Sequence, residues 1–563
     1  MPANFKMLFA LILTVTASAE TVRFKDRCLK DVVAQVPKVL ATQDTKTGRF
    51  GKGIWIVTDQ NVMLGLSAAY TQNDPANPWY HKPELLDSIM KAGDALIEDM
   101  DANGQWEFRK KDGSTWGQIF MPWIYSRWIR SYALVREAMP QDRRARWDKA
   151  LQLGFTGIAK EVGTFRIQNI PAHDAMALYF AGKVFDRPEW RELSTKYLHK
   201  VVETQHKDGY WSEHMGPVVS YGFVYVDALG VYYSVSKDEA VLPALRKTSL
   251  FHAYFTYPDG TDVETVDERN PYHEALRLPN TGFTFTPEGR SYLARQLKKF
   301  KGALPFDEAS LLLLYGQEGE GSAQDLTSSD FDFVLGSGDA AVRRRGPWFM
   351  VISTMTTEVP TARWIQDRQN FVSVYHDKYG LILGGGNTKL QPRWSNFTAG
   401  NIALLHHKAG DINPNFLPPA GITHVPKSAK LISGDDFGIS LDYGGKTGEI
   451  RLRVLGPDKL EYSVSGDKAL TSHLTLLPHL KQPITAASGE KKVLSDEPIE
   501  WAKPGAWLDY RQMHITLPAG SSVHWPVIPH DPYKKDGAAT SSQGRIVIDT
   551  PAGESAKFVF ELK

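Results

Sequence analysis

The chain has 563 residues, a formal net charge of +1 and a single cysteine. That length provides for two or more domains with large cores. Near-neutrality excludes a global attraction to nucleic acid or anionic membranes, and one thiol excludes an internal disulfide framework. In chain order, the first residues, MPANFKMLFALILTVTASAE, read as a secretory signal spanning residues 1–19. Lys6 supplies the basic region, Leu8 to Ala17 the apolar stretch, and Ala17-Ser18-Ala19 a small-x-small cleavage site before Glu20. The run is too short to span a bilayer and no later segment is a better candidate. A periplasmic or secreted protein, without a membrane span after cleavage, is expected. Cys28 reads as a small core residue.

Residues 20–320 are punctuated by Gly-centred turns: TGRFGKGIW (Thr47 to Trp55), DANGQWEF (Asp101 to Phe108), EVGTFRIQN (Glu161 to Asn169), KDGYWSEH (Lys207 to His214) and YPDGTDVET (Tyr257 to Thr265). They recur about every 50 residues, the length of one helix–loop–helix unit. Most are followed by two helix-like runs of different character. NVMLGLSAAYT, IFMPWIYSRWIRSYALV and VVSYGFVYVDALGVYYSV are apolar nearly all round, as a buried inner helix is. ELLDSIMKAGDALIEDM, RRARWDKALQLGFTGIAKEV and RPEWRELSTKYLHKVVETQ carry one apolar stripe and a charged face, and read as an outer layer. Five to six such hairpins predict an incomplete N-terminal (α/α) toroid. Every Gly turn precedes an inner run, so the side chains just after the turns ring one cleft.

The character changes at YGQEGEGSAQDLTSSD (Tyr315 to Asp330), a Gly/Ser/acid linker. Beyond it come short β-branched runs such as WFMVIST, FVSVYHD, EIRLRVLG, KLEYSVSG and AKFVFEL, separated by turn residues. Many strands without intervening helices predict a C-terminal antiparallel β-sandwich over residues 326–563.

The residues after the Gly turns are the candidate site: Asp59, Gln60 and Asn61; Trp116 and Gln118; Asn169 and His173; Glu213, His214 and Tyr221; Glu264, Asp267, Glu268, Arg269 and His273. Asn169 falls near a helix start with His173 one turn on, which fits either an N-cap and a core histidine or a functional pair. Tyr221 and Tyr225 share a helix face. A phenol beside a cation can act as acid and base at an acidic carbon. Arg269, in an acid-rich loop, suits a substrate carboxylate, and Glu264 suits either sugar binding or general acid work. Tyr225, Trp116, Gln118 and Asn61 complete the predicted substrate-binding set. In the second half, Tyr375-His376-Asp377 ends a strand and leads to GGGN, which lacks the pattern of a phosphate loop. No H-E-x-x-H, C-x-x-C or G-x-S-x-G motif occurs.

A signal, a toroid and a sandwich together resemble the polysaccharide lyases of the heparinase II/III and alginate lyase type. The resemblance covers nearly the whole mature chain as architecture. It implies cleavage beside a uronic acid by β-elimination. An Asn or His of the toroid neutralises the substrate carboxylate, a Tyr, often with a His, moves the proton, and a second His comes from the sandwich. Asn169 with His173, Tyr221 or Tyr225, and His376 fall in that order. Here Asn169 and His173 are a helical turn apart rather than adjacent, which leaves His173 and His214 both open as the base. No organic cofactor or metal is implied, and the partner is an acidic polysaccharide or oligosaccharide. Two other readings stand beside this one: a glycoside hydrolase on the same toroid, using paired carboxylates such as Asp59 or Glu213 with Glu264, and a non-catalytic glycan-binding protein.

Overall fold

The computed structural model describes residues 20–52, 56–110, 113–322, 330–408, 410–432, 434–553 and 555–563. The predicted signal at residues 1–19 lies outside these, as does part of the predicted linker. Among the described residues the first half is helical: α1 (Lys25–Leu40), α2 (Ile56–Asp59), α3 (Val62–Thr71), α4 (Pro83–Asp99), α5 (Pro122–Val135), α6 (Gln141–Val162), α7 (Asn169–Val184), α8 (Pro188–Glu203), α9 (Val219–Ser236), α10 (Leu242–Tyr254), α11 (Pro287–Leu297) and α12 (Phe306–Tyr315). Proline opens α4, α5, α8 and α11, where its missing N–H costs nothing and its fixed φ suits the first turn.

Neighbouring inner helices α12, α3, α5, α7 and α9 form a ring, and the 3₁₀ turn Thr281–Phe285 fills the gap between α9 and α12. Helices α9 and the 3₁₀ turn meet through Gly230 and Gly282, where a Cβ on Gly230 would stand 2.2 Å from the Gly282 Cα. Helices α1, α4, α6 and α8 pack outside the ring. The ring is held by buried aromatics, among them Tyr125, Trp128, Tyr132, Trp147 and Tyr232, each contributing about 1.5–3 kcal/mol by leaving water. The run predicted to be helical from Ile119 begins only at Pro122, because Thr115–Ile119 pairs with Trp106–Arg109 as a hairpin.

From Phe331 onward the chain is β. One sheet runs, in spatial order, Ile499–Trp501, Ser522–Val527, Arg545–Pro551, Leu470–Leu476, Gly380–Leu383, Val372–His376, Trp348–Ser353, Ala340–Arg345 and Phe331–Val334, with Phe397–Gly400 and Ile422–Thr423 attached beside Leu470–Leu476. The second runs Ser428–Ile432, Phe437–Asp442, Thr447–Gly456, Lys459–Gly466, Ala556–Leu562, Met513–Thr516, Trp507–Tyr510, Pro483–Ala486 and Lys491–Val493. Pairing is antiparallel throughout these ladders. The second sheet alternates, with Ile439, Leu441, Ile450, Leu452, Leu460 and Phe560 turned inward.

The first sheet is covered on both faces. Val342, Phe349, Val351, Tyr375 and Leu381 pack into the toroid core, while Trp348, Met350, Ile352 and Val374 pack into the sandwich core. Sheet and toroid therefore share one interface. There Tyr254 stacks on Phe333 at 3.7 Å, the Tyr257 oxygen lies 2.8 Å from Ser373 Oγ, and Arg368 donates to the Asp267 carbonyl at 3.0 Å. No described helix is long and apolar enough to cross a membrane.

Candidate active site

Four of the five Gly turns use the left-handed backbone their glycines allow, at Gly48, Gly104, Gly209 and Gly260; the fifth, at Gly163, is right-handed. After the fourth turn a short loop is closed by a bridge between Ser212 and Pro217 and by Glu213 N–H donating to the Gly216 carbonyl at 3.3 Å. This loop carries Glu213 and His214 at the start of α9.

Asn169 is the first helical residue of α7, not its cap. Its Nδ2 donates to Glu213 Oε2 at 2.8 Å, and the Tyr225 hydroxyl donates to Glu213 Oε1 at 2.9 Å. Burial raises the Glu213 carboxyl, opposed by these two donors. Tyr225 is itself buried and stacked on Trp211 at 5.0 Å, so it faces Glu213 rather than solvent. The three residues form one packed unit in which Glu213 fixes the Asn169 amide.

Tyr221 lies in the first turn of α9, half-buried. Its oxygen accepts from Arg269 Nη1 at 2.5 Å, and the guanidinium carbon stands 4.8 Å from the ring centroid. Burial raises the Tyr221 pKa and Arg269 pulls against it, leaving it raised. The phenol is therefore protonated at neutral pH, and since its oxygen accepts from Arg269 its own proton is free to be given. Arg269 Nε is buried without a partner among the described residues. Asp267 sets this pairing. One of its oxygens accepts from Val219 N–H at the start of α9 (2.8 Å), the other from Arg269 N–H (2.7 Å) and Asn270 N–H (2.8 Å). A single carboxylate thus satisfies an otherwise orphaned helix donor and locks the Arg269 loop against α9.

His214 sits at the exposed rim. Partial burial, Arg269 and Arg166 lower its pKa, so the ring is neutral at neutral pH and can accept a proton. The loop carrying it is tied to the sandwich side by Glu268, whose Oε2 accepts from Met215 N–H at 2.9 Å and whose carbonyl accepts from Gln366 N–H at 3.0 Å.

His173 is not part of this group. It is buried, with Nε2 2.9 Å from Ser126 Oγ and 3.3 Å from Arg127 Nη1, and its ring meets the Trp123 edge. Burial, Arg127 and Arg130 hold its pKa well below the usual range. His376 is also elsewhere. Tyr375 faces the toroid, so the alternation of the strand turns His376 to the opposite face beside Trp348, 4.7 Å away. Its Nε2 lies 3.0 Å from the Pro457 carbonyl and its Nδ1 accepts from Lys378 N–H at 3.1 Å.

Glu264 lies apart from the cleft, contrary to the sugar-binding or acid role expected of it. It is 3 % exposed, its Oε2 accepts from Tyr257 (2.9 Å) and its Oε1 from Gly385 N–H (2.9 Å). It joins toroid to sandwich and does not face a ligand. The GGGN stretch serves this join: Gly386, at φ 89°, brings backbone so close that a Cβ there would stand 2.9 Å from the Pro271 Cα.

Asn61 precedes α3, with a buried Oδ1 that has no partner among the described residues. Trp116 (59 % exposed) and Gln118 project from the 106–119 hairpin, Trp116 stacking on Phe108 at 4.9 Å. Three further residues connect this hairpin to Arg269. Lys110 Nζ lies 5.3 Å from the Trp116 ring and 5.4 Å from the Trp364 ring of the sandwich, and Trp364 is 5.5 Å from Tyr533. Tyr533 in turn reaches Arg269, so the guanidinium lies between a phenol of the toroid and one of the sandwich. Tyr533 was outside the predicted set because its loop, PHDPY, carries no periodic signal.

A possible cation position is formed by His206, Asp208 and Asp339, whose ligand atoms lie within 4.8 Å of one another. Asp208 also accepts from Gly336 N–H at 2.9 Å and Ser337 Oγ at 2.6 Å, which makes this a join between the fourth turn and the 331–345 hairpin. It contains none of the residues grouped around Tyr221.

A helical domain followed by a two-layered β domain is also found among solved structures. Chondroitin AC lyase of Streptomyces coelicolor A3 superposes with a TM-score of 0.57 at 13% identity, over 96% of this chain and 79% of that one. The fold is one that polysaccharide lyases have. Heparinase III gives a TM-score of 0.54 at 12% identity, over 99% of this chain and 87% of that one. Paenibacillus xanthan lyase gives 0.58 at 10% identity over 96% of this chain, which spans only 57% of the xanthan enzyme. No protein-family model matches the sequence, and no curated protein does.

Proposed function

We propose that this chain is a polysaccharide lyase that cleaves a uronic-acid-containing glycan by β-elimination, and that it acts after export guided by residues 1–19. The observation that carries the reading is the Tyr221–Arg269 pair at 2.5 Å, whose guanidinium also helps keep His214 neutral through its charge. In this scheme Arg269 and the amide of Asn169 hold the uronate carboxylate, which stabilises the anion that forms when the C5 proton leaves. His214 takes that proton. The electron pair becomes the C4–C5 double bond and the glycosidic C4–O bond breaks. Tyr221 protonates the departing oxygen, and Arg269 stabilises the phenolate left behind. His214 is favoured over His173 as base because His173 is sealed in the toroid core.

A glycoside hydrolase would need two carboxylates facing one ligand, and Glu264 has both oxygens committed to Tyr257 and Gly385. The test is ultraviolet absorbance from the unsaturated uronate product on a panel of acidic polysaccharides. Activity on at least one, lost about 10²–10⁴-fold in Tyr221→Phe, is expected. Reducing ends released without that absorbance would overturn the proposal in favour of hydrolysis, and retention of glycans without turnover would favour a binding protein. Export is checked by the mass of the periplasmic or secreted form, expected to begin at Glu20.

A further inference from the structure

Between the toroid segment 259–276 and the sandwich lies a cavity of about 1110 Å³, lined among others by Asn270, Tyr533, Lys378, His479 and Arg511. Asn270 adjoins Arg269 in sequence and Tyr533 reaches it, so the cavity shares a wall with the Tyr221 site. Its far side is made by an unusual turn. Strands Trp507–Tyr510 and Met513–Thr516 are joined by two residues only, with Tyr510 paired to Met513. Those two, Arg511 and Gln512, have φ of 51° and 61°. Such a turn favours Asn-Gly, because the left-handed backbone crowds Cβ against a carbonyl oxygen, a cost that Gly escapes and Asn offsets by local hydrogen bonding.

The strained position aims a guanidinium into the cavity. Arg511 Nη1 donates to the Tyr379 carbonyl at 3.2 Å and to His479 Nε2. Burial and Arg511 hold His479 at a pKa of about 4, so it is a neutral acceptor and leaves the positive charge uncompensated. Among the described residues no carboxylate forms an ion pair with Arg511; Glu274 acts on it only at longer range. A half-buried cation with neutral partners only keeps guanidinium donors and a charge that an incoming anion can take up. Lys378 and Lys534 add positive charge to the lining, against Asp259, Glu274 and Asp531.

We propose that this cavity is a second glycan-binding site, where Arg511 takes the carboxylate or sulfate ester of an acidic sugar on the same polymer that is cut at Tyr221. The inference rests on the lyase reading for its polymer, but its test does not depend on turnover. Binding is measured by calorimetry on full-length Tyr221→Phe protein, with an unsulfated oligouronate in one arm and a chondroitin sulphate oligosaccharide in the other. Arg511→Asn removes the guanidinium and suits the turn better. It is expected to weaken binding about tenfold while raising Tm, and Gln512→Gly at the same turn is expected to raise Tm and leave binding unchanged. A loss in the unsulfated arm assigns a carboxylate, and a loss confined to the sulfated arm assigns a sulfate ester. The proposal is overturned if Arg511→Asn binds as the parent does in both arms, or if the parent binds neither ligand. Absence of unsaturated product from the unsubstituted protein, with the Arg511 effect intact, would remove the lyase reading and leave this site standing.

Discussion

Arg269 sits where several functions meet. Its guanidinium donates to the Tyr221 oxygen, pulls the Tyr221 pKa down against the burial that raises it, and lowers the pKa of His214 through its charge. These effects separate in a pH profile. A histidine acting as base must be neutral, so kcat/KM falls once pH drops below its pKa. Arg269 helps pull that pKa down, so under the proposed mechanism it is expected to extend activity to lower pH. In Arg269→Gln the cation is gone, His214 returns toward its ordinary value, and the acid limb of kcat/KM moves to higher pH on top of an overall loss. If the limb stays where it is while activity falls, His214 is not the base. Tyr221→Phe gives a control, because it removes the acid and leaves the His214–Arg269 pair in place, so its acid limb is not expected to move in the same way.

At the scale of elements, the site depends on how one helix and one loop are joined. Asp267 accepts from Val219, Arg269 and Asn270 while almost fully buried. Asp267→Ala would leave three backbone donors without that acceptor, a cost of about 2–3 kcal/mol. It would also free Arg269 from Tyr221, so an activity loss of about 10²-fold is expected for a displacement of about 1 Å. Asp267→Asn keeps one acceptor oxygen and is expected to fall between parent and Ala in both Tm and kcat; equal losses for Asn and Ala would show that the charge alone matters. The turn-and-helix rhythm marked His214 and Tyr221 in the sequence, since the left-handed Gly209 followed by apolar α9 fixes which end of the ring they occupy, whereas Asn169 follows the right-handed Gly163 and Arg269 lies in a loop with no helix directly after it. Other positions were not legible. WFMVIST and FVSVYHD are apolar on both faces because the first sheet is covered twice. Parity could therefore not tell that Tyr375 faces the toroid and His376 faces away. Glu264 read as a solvent-facing acid because nothing local reveals that Gly385, far along the chain, will come to lie against it. Tyr533 and Trp364 come from sandwich loops whose approach to the toroid is a tertiary fact alone.

For the whole molecule, the junction of ring and sandwich carries Glu268, a group through which pH is expected to act on stability. Its side chain is 1 % exposed, holds the His214 loop through Met215 N–H, and belongs to a backbone segment bonded to Gln366 of the sandwich. Burial raises its pKa from 4.5 to about 7, with Met215 N–H and the Arg368 cation opposing and the Asp267 and Glu213 charges reinforcing. Because the folded state holds this proton more tightly than the unfolded chain, the group's contribution to stability is fully present at pH below its unfolded value. It is lost as pH rises toward about 7, where the folded carboxyl ionises. Above that point the buried charge costs on the order of 3 kcal/mol. Glu268→Gln has the shape of the protonated form and keeps an acceptor for Met215. Its Tm is therefore expected to exceed the parent's by several degrees at pH 8, with the gap narrowing steadily toward pH 5. Scanning both proteins by differential scanning fluorimetry across that range checks it. A gap that is constant with pH, or that opens on acidification, would mean Glu268 is ionised in the folded protein and paired with Arg368. In that case the His214 loop would be held by an ion pair, and Glu268→Gln would loosen it. The two outcomes differ in activity as well: the first predicts that the Gln variant keeps its kcat on the alkaline side, the second that kcat falls there along with Tm.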